Sequence, residues 1–306
     1  MGGQACVFYG AAQFSKDLDF ALLADEQNYS RLRAALLELK ANRIAVPEFD
    51  PAILARGHAV HFRCQLPEVA GIRVDVMTRL RDLADFSTLW ERRTTIEDED
   101  GTLYDLLAVE DLVQAKKTQR ARDWPVIEAL VEGHYRALHS EPTPERIAFW
   151  LRESRSPERL VQLVLKYPEQ ARSLADQRPL LREAATTTRD TLAEALDAEA
   201  RAEMAKDRAY WEPLKRLLKY WSGSRCCCSW CWPRRERSVD ILVISTERAT
   251  SASAENNATR GARGRRGGLR RRLLVAAPLQ GCASLAPCHP PLLSLRATRS
   301  SFSTVS

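Results

Sequence analysis

Long hydrophobic runs are missing from this chain. No stretch of about 18 or more apolar residues occurs anywhere in its 306 residues, so no membrane-spanning helix is expected. The opening MGGQACVFYG lacks the basic start and extended apolar core of a secretory signal. Cysteine is scarce up to residue 221, where only Cys6 and Cys64 occur, and that excludes a disulfide framework there. Together these absences predict a cytoplasmic protein in a reducing compartment. No internal repeat is present, which excludes solenoids and propellers.

Lysine is missing too, but only from one end. Residues 222–306 hold 14 Arg, no Lys and four acids, a net charge of +10. The whole chain is +6, so the first 221 residues are mildly acidic and the basic balance belongs to the end alone. That end also carries six of the eight cysteines, an Arg-Gly run (RGARGRRGGLRRR) and Ser/Ala/Thr-rich stretches. Such a composition cannot bury a core, and a disordered tail over 222–306 is expected. Out-of-frame translation of GC-rich DNA would give the same text, and that reading is preferred. Cys228 and Cys231 form a C-x-x-C pair, but Cys282, Cys288 and His289 lack matching spacing, so no zinc site is expected.

The first 221 residues divide by pattern. In 1–105, helix-like and strand-like segments alternate. Residues 4–12 read as a short helix, 26–41 as a helix with Leu32, Ala35, Leu36 and Leu39 on one face, and 16–23, 58–65 and 72–77 as strands. In IRVDVM, Ile72, Val74 and Val76 point one way, Arg73, Asp75 and Met77 the other. From 106 to 221 the pattern is helical. Thr143-Pro144 and Ser156-Pro157 read as N-caps followed by a first-turn proline. The expected fold is an α/β core with a mixed sheet, then a helical region.

The chemistry concentrates early. Asp17 and Asp19 are separated by one residue on a predicted strand, so they share a face, with Leu18 and Phe20 directed into the core. Paired hard carboxylates suit Mg²⁺. Asp75 sits on another strand, and if the two strands are neighbours all three acids meet at one edge. Three such acids suit phosphoryl or nucleotidyl transfer assisted by two metal ions. The pair Gly2-Gly3 suits a tight turn into a helix start, where free backbone N–H groups favour phosphate.

With these motifs in place, residues 2–80 resemble the DNA polymerase β-like nucleotidyltransferase superfamily, whose signature is Gly-Gly or Gly-Ser, an Asp-x-Asp strand and a later lone Asp. The wording GGQACVFYGAAQFSKDLDFAL is closest to bacterial AbiEii-type and minimal nucleotidyltransferases of toxin–antitoxin systems. The resemblance implies that Gly2, Gly3 and Ser15 hold the NTP triphosphate. It implies that Asp17, Asp19 and Asp75 bind Mg²⁺, with Asp75 also helping to deprotonate the attacking hydroxyl. DLVQAKKTQRARDWPVI resembles the family's later helical motif and implies a phosphate role for Lys117, with Asp123 beside it. The family places a helix and an apolar strand before the glycine pair. The expectation here is a core missing its first strand, through a misplaced start or a truncation.

Plainer readings apply elsewhere. Lys116, Lys117, Arg120 and Arg122 read as a solvated helix face. His58 and His61 read as ordinary polar positions, Trp124 and Trp150 as core. Three functions compete: an enzyme moving a nucleoside monophosphate from an NTP to an RNA, protein or small-molecule hydroxyl; a non-catalytic protein of the same fold partnering a toxin or antitoxin; and a nucleic-acid binder acting through the Arg-rich tail.

Overall fold

A glycine pair opens the first element. In the computed structural model, which describes residues 1–44 and 49–223, α1 (Gly2–Phe8) is followed by β1 (Asp17–Ala21), α2 (Glu26–Glu38), β2 (Asn42–Arg43), α3 (Pro51–Ala55), β3 (Val60–Arg63) and β4 (Arg73–Met77). The four strands form one mixed sheet in the order β1-β4-β3-β2. β1 runs parallel to β4, while β4, β3 and β2 pair antiparallel. A parallel pair needs a crossover connection, and the segment through α2, α3 and β3 supplies it.

Alternation sorts the two faces of this sheet. Val60, Phe62, Val74 and Val76 share one face and are buried, as are Tyr29, Leu32 and Leu36 of α2 and Leu54 of α3. Phe49 joins them, with ring contacts to both Tyr29 and Phe62. The opposite face carries Asp17 and Asp19, Arg73 and Asp75, His61 and Arg63 in register. Phe20 departs from expectation: it is 41% exposed rather than inward. β1 is the edge strand, so its apolar face has cover from one side only.

The chain continues through α4 (Phe86–Glu91), a two-stranded hairpin of β5 (Thr94–Glu97) and β6 (Leu103–Leu106), then α5 (Val109–Lys116), α6 (Trp124–Leu138), α7 (Pro144–Glu153), α8 (Pro157–Lys166), α9 (Pro168–Leu174) and the long α10 (Arg189–Gly223). The architecture is mixed α/β, with a small mixed sheet and many helices. The two predicted caps are present. Thr143 accepts from the Arg146 N–H and Ser156 from the Arg159 N–H, each followed by its proline. Among the described residues, no helix is long and apolar enough to cross a membrane. The tail expected over 222–306, with its cysteines and Arg-Gly run, lies outside the described residues from 224 onward.

One buried cluster ties the helices together, and α1 belongs to it. Ala5 and Cys6 share it with Leu112, Val113, Ile127, Leu130, Trp150, Leu160 and Leu192. At its centre the Trp150 indole Nε1 donates to His134 Nδ1 at 2.9 Å, satisfying a buried donor that would otherwise be orphaned. α1 therefore touches the helical core with one face and the β1 edge with the other. Trp150 is fully buried, so Trp150→Ala is expected to cost about 3–5 kcal/mol, from lost burial and a residual cavity. Thr143→Ala, which removes one cap, is expected to cost only about 1 kcal/mol. Equilibrium urea unfolding of the two variants measures both.

Candidate active site

The parallel register decides the site. Asp19 of β1 lies directly opposite Asp75 of β4, and Asp17 lies opposite Arg73. Both strands turn these side chains to the same face, so three carboxylates and a guanidinium meet at the β1 edge of the sheet. The antiparallel partner adds His61 of β3, opposite Asp75, and Arg63, opposite Arg73.

Arg73 binds the acids together. Its Nη2 donates to Asp75 Oδ2 at 2.6 Å and lies 3.1 Å from Asp17 Oδ2. Desolvation opposes the Arg73 charge, but the hydrogen bond and charge of Asp75, with Asp17 and Asp19 behind it, outweigh that and raise its pKa further. The Asp75 side chain is only 6% exposed. His61 Nδ1 approaches Asp75 Oδ1 to 2.8 Å, within ion-pair range, but the two are not aligned as a hydrogen bond. Asp75 Oδ1, His61 Nδ1 and Arg73 Nε are all buried with no hydrogen-bond partner.

Asp19 is held from the α1 side. The Gly3 N–H donates to its Oδ2 at 3.3 Å, and the Met1 amine donates to its carbonyl at 2.9 Å. The need for glycine here is steric. Gly2 has φ +68°, and a Cβ built on it would fall 2.0 Å from Asp19 Oδ2. A Cβ on Gly3 would fall 2.4 Å from Ser15 Oγ, which donates to the Asp17 carbonyl at 2.8 Å. Burial pushes the Asp19 pKa up, and the nearby Asp75 charge pushes it further; the Gly3 N–H pulls the other way without prevailing.

Six of the seven residues expected at the site therefore come together: Gly2, Gly3, Ser15, Asp17, Asp19 and Asp75. Lys117 does not join them. Its ammonium pairs with Glu153 of α7 at 2.8 Å, and its carbonyl accepts from Arg81. The neighbouring Lys116 pairs with Asp123 at 3.8 Å, and its charge bears weakly on Asp19 and on Cys6. The solvated basic face expected here holds for Arg120 and Arg122, which are exposed, and is corrected for Lys116 and Lys117, which are both largely buried because α5 is packed on two sides by α1 and α6 and its end is covered by α7. Asp123 accepts from Thr118 Oγ1 and Arg120 Nε, and lies 3.8 Å from Lys116. It braces the turn into α6 rather than the carboxylate edge.

Sequence reasoning missed Arg73, His61 and Lys116. Arg73 stands two residues before Asp75 on the same strand, so its shared face was readable. His61 needed the β3–β4 register, which no local pattern specifies.

The carboxylate oxygens of Asp17, Asp19 and Asp75 are hard donors of the kind that suits Mg²⁺. The expected three-ligand centre is not assembled: among the described residues no three His, Cys, Asp or Glu side chains are grouped to hold a metal ion. Arg73 already takes one oxygen each from Asp17 and Asp75. Mg²⁺ commonly binds through one or two carboxylates plus phosphates, so a pre-formed cage of three is not required.

Two substitutions probe this geometry. Asp19→Asn in metal-free buffer is expected to raise the melting temperature at pH 7. The natural carboxylate has a raised folded pKa, so its ionisation opposes folding at neutral pH, and the amide removes that cost. The gain should shrink as pH falls through the raised folded pKa and vanish below the ordinary aspartate range, where the natural side chain is protonated in both states. Gly2→Ala is expected to destabilise by at least about 1 kcal/mol, because the new Cβ meets Asp19 at a positive φ. Thermal denaturation across pH checks both. No family model, no curated protein and no solved structure matches this chain.

Proposed function

We propose that the chain is a metal-dependent nucleotidyltransferase, moving a nucleoside monophosphate from an NTP to a hydroxyl on RNA, protein or a small molecule. The observation that carries the reading is the meeting of Asp17, Asp19 and Asp75 at one sheet edge, beside the glycine pair and Ser15. Asp19 and Asp75, with Asp17 on the same face, are the residues that would hold Mg²⁺. When bound, the ion would supply neutralisation of phosphate charge during in-line displacement.

The residues of the chain supply the rest. Gly2 and Gly3 allow α1 to approach Asp19 closely, which fixes that carboxylate. Asp75, buried and with one oxygen that makes no hydrogen bond and lies beside His61, is the acid best placed to accept the acceptor hydroxyl's proton. Lys116 adds positive charge near Asp19 and takes the part that the resemblance gave to Lys117. Nucleotide choice and acceptor class would be set by the surrounding loops rather than by the acids.

One observation favours a second reading. Arg73 ties up two of the three acids, as it would in a protein that keeps the fold and partners a toxin or antitoxin without turnover. The two are separated by incubating the full chain with Mg²⁺ and each labelled NTP, with RNA and protein extracts as acceptors, beside Asp17→Ala and Asp19→Ala. The enzyme reading expects label transfer in the natural chain, reduced at least about 100-fold in either variant. NTP binding unchanged by both substitutions, without transfer, would sink it and leave the partner reading.

A further inference from the structure

We propose that Arg73 is a resident counter-ion which a divalent cation must displace, so that metal uptake at this edge is an exchange of one cation for another. The inference rests on the nucleotidyltransferase reading of the three acids and concerns how that same site is switched on.

The geometry is specific. A single nitrogen, Arg73 Nη2, lies 2.6 Å from Asp75 Oδ2 and 3.1 Å from Asp17 Oδ2, bridging the two carboxylates through one point. Mg²⁺ takes its oxygen ligands at about 2.0–2.1 Å and in near-octahedral order. An ion bridging those same two oxygens would have to take the place of Arg73 Nη2. The guanidinium is also poorly served where it lies. Its Nε is buried without a hydrogen-bond partner, and the second oxygen of Asp75 meets His61 Nδ1 at 2.8 Å without hydrogen-bond alignment. Elsewhere the fold serves a buried guanidinium fully: Arg178 donates to the Leu151 and Ser154 carbonyls and to both oxygens of Glu199. Arg73 has a way out, since its side chain is 36% exposed while that of Asp75 is 6% exposed. Desolvated carboxylates close together need a counter-charge to persist, and Arg73 supplies it until a stronger one arrives.

Charge accounts for the direction of exchange. Asp17, Asp19 and Asp75 carry up to three negative charges, and Arg73 neutralises one. A divalent ion neutralises two and coordinates directly, so exchange improves the balance, but only after the guanidinium contacts are lost. Removing Arg73 should therefore tighten metal binding, the opposite of what loss of a ligand or of a scaffolding residue would do.

The test is Mn²⁺ binding to the full chain, read by the paramagnetic resonance of free Mn²⁺ after chelator stripping, in the natural protein and in Arg73→Gln, Arg73→Lys and Asp75→Asn. The expected result is affinity raised about tenfold or more in Arg73→Gln, a smaller rise in Arg73→Lys, and loss in Asp75→Asn. Natural protein that binds Mn²⁺ while Arg73→Gln binds equally or more weakly overturns the exchange and leaves the metal site standing. No binding in any of the four overturns the metal reading itself. Should Arg73→Gln fold poorly, Arg73→Lys keeps the question open to measurement: its melting temperature should rise more with added Mg²⁺ than that of the natural protein, and an equal or smaller rise overturns the proposal.

Discussion

The contact between Arg73 and the two aspartates is the constraint around which the sheet edge is arranged. β1 is an edge strand whose outward-turned face carries two acids, and its neighbour β4 presents a third directly opposite one of them. Like charges facing each other across a strand pair destabilise it. Placing a guanidinium two residues before Asp75, on the same face and opposite Asp17, lets one side chain offset that repulsion at two points. This cation sits within the parallel β1–β4 pairing and lessens the repulsion between its acids.

Asp19 is left outside that arrangement, and α1 compensates from the other side. The chain brings a helix start up against the strand through two glycines, so close that a methyl group at the first would overlap the carboxylate. One Gly3 N–H faces the acid, and Lys116 adds charge from α5. The same helix buries Ala5 and Cys6 in the helical core. Packing energy from the large cluster around Trp150 thus holds α1 in place, and α1 in turn holds Asp19. A loss of packing far from the acids is communicated to them through this one short helix.

Much of this was legible from residue order, and the failures share a cause. Alternation in DLDFA and RVDVM identifies both acid-bearing strands and the face each acid takes. The proline-led caps at Thr143 and Ser156 mark two helix starts because their chemistry is local. The exposed Phe20 was misread, since alternation says which face a residue occupies but not whether anything covers it. The burial of Lys116 and Lys117 was misread in the same way: charge predicts solvent unless a partner is near, and Glu153 lies 36 residues away in sequence. His61 reaches Asp75 only through pairing of β3 with β4, and the β5–β6 hairpin and the short α3 carry too few residues to show a period. Each miss depends on a contact between distant segments.

The distribution of unsatisfied groups bears on what the edge is for. This fold is able to pair its buried charges. Asp111 takes both nitrogens of Arg92, and Asp207 accepts from the Gln119 N–H and the Trp211 indole with Arg81 alongside. A second set of buried atoms without hydrogen bonds lies at the end of α7, at Glu153, Ser154 and Arg155, where, as with Arg73 and Asp75, Glu153 and Arg155 each keep an ion pair through another atom. At the β1 edge three acids meet one guanidinium directly, with the Met1 amine and Lys116 adding lesser positive charge, and Asp19 is held where ionisation is disfavoured. Strain of that kind persists when surrounding structure enforces it, and it gathers where a ligand is to be received. A purely structural edge would be more stable with Asn at residue 19. An acid at residue 19, close against the glycines of α1, supports a site whose excess negative charge is met in part by what it binds.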